Sequence, residues 1–201
     1  MDSYGHLYIN EKQSTHDSII SLIEKDFSIG NQDSLAFDVA YKQAISIFRK
    51  LEKREPTKGE KEALLGPAKE RFRVISKRIT AKQKGALIEY SHPVFSVENI
   101  PEIAKRVSSQ DAKMHVCAVA GFDHSVFLLH IYAQGQAETL HQIGDELEDM
   151  GLSSIIGDVQ IISCFFGARE DIVRTFLESH DVMEAEELFS KSILPSSGTV
   201  C

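Results

Sequence analysis

Residues 113–133 carry the sequence KMHVCAVAGFDHSVFLLHIYA, in which two apolar runs flank a short polar segment. Each run has the length and composition of a β-strand, which predicts strands over 113–120 and 125–133. The connection at residues 121–124 is short, and a short connection between two strands predicts a hairpin. The hairpin is the centre of the predicted fold.

The length of the hairpin turn decides which side chains share a face of the sheet. Alternation along the first strand puts His115 and Cys117 on one face. A two-residue turn would place His130 directly opposite Cys117, and a four-residue loop would place it opposite His115. An odd-length loop would instead send His130 to the other face. An even-length loop therefore brings all three side chains together, and the sequence alone leaves both cases open.

The side chains of Cys117, His130 and His115 are the candidate catalytic residues. A cysteine attacks a carbonyl as its thiolate, and a neighbouring imidazole can take the thiol proton. The alternative is packing, because free cysteines and strand histidines are also common in cores. We expect Cys164, within a second apolar run, to be a core residue. The groups that could orient the imidazole are Ser109, Asp111, Asp123 and Tyr132. Their spacing along the sequence does not favour any one of them.

Metal and cofactor chemistry has little support in the sequence. Four metal-ligand types lie close together at His115, Cys117, His124 and His130, but they do not have the spacing of a structural zinc site. The nucleotide-binding, zinc-protease and serine-hydrolase motifs are absent from the sequence. We therefore expect no metal and no cofactor.

Around the hairpin, predicted strands alternate with predicted helices. Further strands are predicted near 86–97 and 157–166. Helices are predicted near 98–108, 137–150, 168–180 and 183–193. The resulting β-α-β-β-α-β-α order predicts an α+β domain over 86–194, in which helices cover a sheet, and a ferredoxin-like arrangement is one example. Residues 195–201 are predicted to form a flexible tail.

Residues 1–85 have a helical periodicity instead. Apolar residues recur at spacings of three and four, which predicts amphipathic helices in this region. Thr57 and Glu60 form a capping box that begins one of them. The predicted apolar positions include Ile19, Ile20, Ile23, Ala40, Ala44, Ile47, Phe48, Leu51, Phe72, Ile75 and Ile79.

Charge is distributed unevenly along the chain. Residues 42–84 contain fourteen Lys and Arg against five Asp and Glu, a local charge of +9. The remainder contains eight against twenty-five, or −17, so the net charge of −8 hides a basic region. Such a region can bind an anionic partner such as an acidic protein, nucleic acid or anionic lipid. The alternative is that it packs against acidic helices of the same chain.

Length and composition indicate a globular protein. The 201 residues, 42% of them hydrophobic, can form a core without disulfides or a metal. Three cysteines without a CxxC motif favour a reducing compartment such as the cytoplasm. The first residues lack the pattern of a Sec-type signal peptide, and the apolar runs are too short to span a bilayer. We therefore expect no transmembrane segment.

Part of the second half resembles a known family. The segments concerned are CAVAGFD at 117–123, His130 on the next strand, DVQIISCFFGA at 158–168 and the helix at 169–178. They resemble the chemoreceptor glutamine deamidases of bacterial chemotaxis. In that family a strand cysteine attacks a glutamine side-chain amide, and a histidine on the following strand is the base. The resemblance implies that Cys117 is the nucleophile and His130 the base of a bacterial protein-glutamine deamidase.

Two functions are consistent with these patterns. The first is a thiol-dependent amidohydrolase that uses a Cys-His pair on adjacent strands and acts on another protein. The second is a non-catalytic interaction module in which residues 42–84 bind an anionic partner. The accessibility of Cys117, and the face of the sheet on which His130 lies, distinguish the two.

Overall fold

The computed structural model describes residues 3–10, 16–25, 35–69, 79–92 and 95–195. The chain divides into two compact units. The sheet unit comprises residues 1–16, 80–91 and 95–201, and the helical unit comprises residues 17–79 and 92–94. The predicted boundary at residue 85 is therefore wrong, because the sheet takes strands from both ends of the region predicted to be helical.

The sheet unit contains one six-stranded antiparallel sheet. Its strands are β1 (Ser3–Ile9), β2 (Thr80–Lys84), β3 (Leu87–Ser91), β4 (His115–Phe122), β5 (Val126–Ala133) and β6 (Gln136–Gly144). Their spatial order is β2-β3-β1-β4-β5-β6. Residues 116–121 and 126–132 of the two hairpin strands are all buried, because these strands are covered on both faces. This double burial explains why their apolar runs are nearly continuous.

Seven helices accompany the sheet in the described residues. They are α1 (His16–Lys25), α2 (Leu35–Glu52), α3 (Lys58–Ala63), α4 (Ile100–Ser108), α5 (Val159–Phe166), α6 (Glu170–Glu178) and α7 (Val182–Leu188). A 3-10 turn (Glu148–Met150) precedes α5, and a π-helical turn (Phe189–Ile193) follows α7. Helices and an antiparallel sheet thus confirm the predicted α+β class.

Helices cover both faces of the sheet. Helix α4 packs on one face through Ile100, Ile103 and Val107, which are buried. Strand β1 approaches this layer closely, since a Cβ added at Gly5 would lie 2.7 Å from Cβ of Phe95. The other face, which we call the three-helix face, is covered by α5, α6, α7 and the π-helical turn. It holds a cluster of buried apolar residues, which includes Tyr8, Cys117, Val119, Phe127, Leu129, Ile131, Ile162, Phe166, Val173, Phe176 and Phe189.

Strand β6 occupies most of the segment predicted as a helix over 137–150. A two-residue turn at Gln134 and Gly135 connects it to β5, and both turn residues have positive φ, 51° and 74°. This backbone matches the twist of a β-hairpin. The turn therefore directs the chain into a third central strand, and the helix prediction is wrong.

Helix α5 replaces the strand predicted over 157–166. The Asp158 carboxylate caps it by accepting from the N–H groups of Gln160 and Ile161, at 2.8 and 3.0 Å. Gly167 ends the helix in the left-handed region, with φ 66°. An apolar run of this length does not by itself distinguish a strand from a buried helix. From β3 onward the order is therefore β-α-β-β-β-α-α-α, and the predicted order was wrong.

The helical unit confirms the predicted capping box. The Thr57 N–H donates to Glu60 Oε2 at 2.8 Å, and the Glu60 N–H donates to Thr57 Oγ1 at 3.4 Å. Buried apolar residues in this unit include Ile19, Ile20, Ile23, Phe37, Ala40 and Ala44. The predicted apolar positions Phe72 and Ile75 lie outside the described residues, as do residues 196–201 of the predicted tail. Within the described ranges, every helix is too short or too polar to cross a membrane.

Candidate functional site

The turn between β4 and β5 has three residues, because Phe122 pairs with Val126. Asp123 and His124 adopt the left-handed region with φ of 49° and 57°. The Ser125 N–H donates to the Phe122 carbonyl at 2.8 Å and closes the turn. The loop therefore has an odd length.

This register separates the predicted catalytic pair. Cys117 lies opposite Ile131, and His130 lies opposite Ala118. Because side chains alternate along a strand, Cys117 faces the three-helix face and His130 faces α4. The sheet itself stands between the thiol and the imidazole, so His130 cannot take a proton from Cys117.

Cys117 is a core residue in this structure. Its side chain is 0% exposed and belongs to the apolar cluster of the three-helix face. Burial raises the pKa of the Cys117 thiol well above its usual range. Its Sγ makes one weak contact, 3.8 Å from the Ala118 carbonyl oxygen. A protonated and inaccessible thiol does not act as a nucleophile.

His130 belongs to a buried hydrogen-bond network. Its Nε2–H donates to Oε1 of Gln142 at 3.0 Å. Its Nδ1 lies 3.3 Å from the Tyr132 hydroxyl and accepts from it, so we assign a neutral ring with its proton on Nε2. The Gln142 amide in turn donates to the Ser153 carbonyl at 2.8 Å. Burial lowers the pKa of His130 to about 4. The ring therefore connects β5, β6 and the segment that follows them.

The third predicted residue, His115, lies on the same strand face as Cys117, and its hydrogen-bond partner is Glu138 rather than Cys117 or His130. It lies exposed at the start of β4, with Nδ1 2.9 Å from Oε2 of Glu138. Of the groups that could orient an imidazole, Tyr132 contacts His130, Ser109 donates to the Arg106 carbonyl and Asp111 accepts from the Lys113 N–H. The structure therefore does not assemble the predicted triad.

Cys164 is exposed, whereas the sequence pattern predicted a core residue. The difference arises because residues 159–166 form a helix rather than a strand. On α5, Ile162 and Phe166 point into the core, and Cys164 falls on the opposite side. The thiol expected to be inert is therefore the accessible one.

The basic region divides between the two units. Lys82 and Lys84 lie on β2 in the sheet unit, and residues 70–78 lie outside the described part of the chain. In the helical unit, residues 42–69 contain eight Lys and Arg against four Glu. Two of these glutamates are paired internally, Glu55 with Arg49 at 2.7 Å and Glu60 with Arg54 at 2.6 Å.

An exposed apolar strip lies on α2, in the unit that also carries the remaining cations. Ile47 and Leu51 are 38% and 76% exposed and lie one helical turn apart, so they share a face. Exposed lysines follow on α2, on α3 and in the segments beside them, at Lys50, Lys53, Lys58, Lys61 and Lys69. We call Ile47, Leu51 and these five lysines the cationic-apolar surface.

A cavity lined by aromatic, acidic and apolar residues of the sheet unit was missing from the sequence-based predictions. Tyr4, His6 and Tyr8 project into it from alternate positions of β1, and Glu89 of β3 and Glu186 of α7 also line it. The alternation Tyr-Gly-His-Leu-Tyr at residues 4–8 is the signal that could have found it, since period two predicts a strand. That segment was assigned to the helical region instead.

Comparison with known proteins assigns no family to this chain. No protein-family model, no curated protein and no solved structure matches this chain. The described residues also hold no group of three or more His, Cys, Asp or Glu side chains placed to bind a metal ion.

Proposed function

We propose that this protein is a non-catalytic interaction module whose helical unit binds an acidic partner protein. The observation that carries the proposal is the cationic-apolar surface, in which Ile47 and Leu51 of α2 are exposed in a unit that also exposes five lysines. Proteins bury such apolar side chains against a complementary apolar patch, and a basic rim favours an acidic partner. The thiol hydrolase is not proposed, because Cys117 is buried and His130 faces the other side of the sheet.

The apolar strip favours a protein over the other anionic partners. A nucleic-acid backbone offers phosphates to lysines but no apolar patch for two exposed aliphatic side chains. A membrane-surface helix usually adds Trp and Phe at its apolar boundary, and the sequence contains no Trp. A partner with an acidic rim and an apolar centre matches both parts of the surface.

Binding to labelled probes of known chemistry tests this proposal. Fluorescence anisotropy would compare an amphipathic Leu-Glu peptide, a polyglutamate peptide of equal charge and a single-stranded oligonucleotide. We expect the amphipathic peptide to bind most tightly, with an affinity that falls as salt is raised from about 50 to about 200 mM. Salt-independent binding, or no binding of any probe, would contradict the proposal.

Matched variants locate the surface. The pair Lys50→Glu and Lys53→Glu should weaken binding at least about tenfold, because repulsion replaces attraction at the surface. The control pair, Lys105→Glu and Lys113→Glu, makes the same charge change at exposed positions of the sheet unit and should leave affinity nearly unchanged. Leu51→Ser should remove the advantage of the amphipathic peptide over polyglutamate. Tightest binding of the oligonucleotide would indicate nucleic acid and overturn the choice of a protein partner.

A further inference from the structure

A cavity of about 530 Å³ lies at the margin of the three-helix face. Strand β1 forms one wall, and residues 183–194 of α7 and the π-helical turn form another. The volume lies within the range of pockets that hold small organic groups. The cavity lies wholly within the sheet unit.

The charge of the cavity is negative. Three carboxylates line it, those of Glu89, Glu186 and Glu187, whereas its described lining residues include no Lys or Arg. Lys84 lies 3.8 Å from Glu89, outside the lining, and Lys191 pairs with Glu187. Two of the three carboxylates therefore already have a cationic neighbour.

Glu186 is the carboxylate without a Lys or Arg partner in the described part of the chain. Its Oε1 accepts from the Tyr4 hydroxyl at 2.8 Å, and its Oε2 lies 3.1 Å from Nδ1 of the exposed His124. Each carboxylate oxygen has two lone pairs, so both can accept a further hydrogen bond. A ligand cation at this position would complete an ion pair that the protein leaves open.

Aromatic rings form the wall on the side of β1. Tyr4 and His6 have ring centroids 5.8 Å apart, His6 and Tyr8 have centroids 6.2 Å apart, and Phe189 lies 5.9 Å from Tyr8. The faces of such rings attract organic cations. Aromatic faces beside a carboxylate without a Lys or Arg partner are the combination that recognises amines and guanidinium groups.

His6 adds an acceptor without a donor. Its Nδ1 is buried and makes no hydrogen bond to the described residues, and the nearest Glu89 oxygen is 3.7 Å away. A buried ring nitrogen without a hydrogen-bond partner costs free energy in the unliganded protein. Burial lowers the pKa of His6, which keeps the ring in the neutral form that can accept a hydrogen bond.

We propose that this cavity binds an organic cation, a primary amine or guanidinium carried on an apolar stem. The cationic head would pair with Glu186 against the Tyr4 ring, and the stem would pack on Val119, Met183 and Leu194, which also line the cavity. A free alkyl amine and the Lys or Arg side chain of a peptide share this chemistry.

Titration with matched small probes tests the charge requirement. Protein-observed NMR would compare n-butylamine and n-butylguanidinium with n-butanol and butyrate, which have the same stem but a neutral or anionic head. We expect both cations to bind at least about tenfold more tightly than n-butanol and butyrate. The neutral and anionic heads cannot form the charge-assisted hydrogen bond that a cation forms with Glu186. Equal binding of butylamine and butyrate, or no binding of either cation, would overturn the proposal.

Two variants and one control place the site. Glu186→Gln keeps the acceptor for Tyr4 but removes the charge, and should weaken cation binding at least about tenfold. Met183→Arg puts a competing guanidinium at the mouth of the cavity, where the wild-type side chain is 60% exposed, so the fold should tolerate it and binding should fall. Glu178→Gln removes a charge from an exposed position of α6 and should leave the affinity unchanged. Unchanged affinity in both cavity variants would contradict the assignment.

A second comparison identifies the source of the cation. Spermidine and a blocked Gly-Lys-Gly tripeptide would be titrated under the same conditions. Tighter binding of spermidine would support a free polyamine ligand, and tighter binding of the tripeptide would support a peptide side chain. Binding of neither would contradict a cation site of this size.

Discussion

The two ends of the three-helix face differ in what covers them. At Cys117, helices α5, α6 and α7 seal the sheet, and the surroundings are apolar. At β1 and β3 the cover ends beside the π-helical turn, and Tyr4, His6 and Glu89 line an open cavity. Tyr8 of β1 and Cys117 of β4 are paired. The change from a covered face to an open cavity therefore occurs between two neighbouring strands, about 5 Å apart.

This difference shows that residue type does not by itself make a functional site. Cysteine is the more reactive residue in principle, but burial raises the pKa of Cys117 and excludes any substrate. Tyrosine is less reactive, but Tyr4 lies at the margin where a ligand can reach it. On this face, helix coverage decides whether a side chain packs in the core or can contact a ligand. The chemical type of the side chain does not decide it.

The largest predicted effect concerns the sealed end of the face. Phe127→Ala should lower the free energy of unfolding by about 3–5 kcal/mol, because it leaves a cavity against Phe176 and Phe189. Met183→Ala, at the open end, should change it by less than about 0.5 kcal/mol. Urea denaturation of both variants measures the contrast, and similar losses would contradict the difference in coverage.

Two buried histidines predict a loss of stability in acid. Burial lowers the pKa of His130 and His141 to about 4, from the model-compound value of 6.5. Between these pH values the unfolded chain binds protons at the two rings and the folded chain does not. The free energy of unfolding should therefore fall as pH is lowered from 6.5 to 4, by about 3 kcal/mol for each ring.

Denaturation at a series of pH values measures this dependence. His130→Asn should reduce the slope between pH 6.5 and 4 by about half, because His141 still contributes. A wild-type slope in His130→Asn would show that His130 titrates normally in the folded state.

Thiol labelling compares the sealed face with the outer surface directly. In the native protein, Cys164 should react with iodoacetamide at least about 100-fold faster than Cys117, because Cys117 reacts only after local unfolding. Peptide mass spectrometry distinguishes the two sites. Faster labelling of Cys117 would revive the thiol-hydrolase hypothesis.

The smallest predicted effect concerns the N-terminal cap of α5, one of the helices that cover Cys117. Asp158→Ala removes the acceptor for the first amides of α5 and should cost about 1 kcal/mol. Because α5 covers Cys117, the same variant should increase the labelling rate of Cys117. Glu178→Ala removes an exposed carboxylate from the last residue of α6, away from any helix start, and is the control. A stability equal to that of the wild type would show that the cap contributes nothing.

Local patterns predicted several elements of the fold correctly. The hairpin strands, helix α4, helix α6 and the Thr57–Glu60 capping box all lie where period and capping signals predicted them. Strand β6 was predicted as a helix and helix α5 as a strand. Periodicity over such a short segment does not distinguish the two structures. Strand β1 was missed, because its partners β3 and β4 lie about 80 and 110 residues further along the chain.

The sequence by itself determined the central hairpin strands, the α+β class and the three side chains that could have carried thiol chemistry. Only the tertiary structure decided which of them meet. One residue in the Asp123–Ser125 turn sets the register, and a change of one residue moves every side chain of β5 to the other face. The packing of α5, α6 and α7 then buried Cys117, and the end of that cover left the cavity at Tyr4 and Glu186 open.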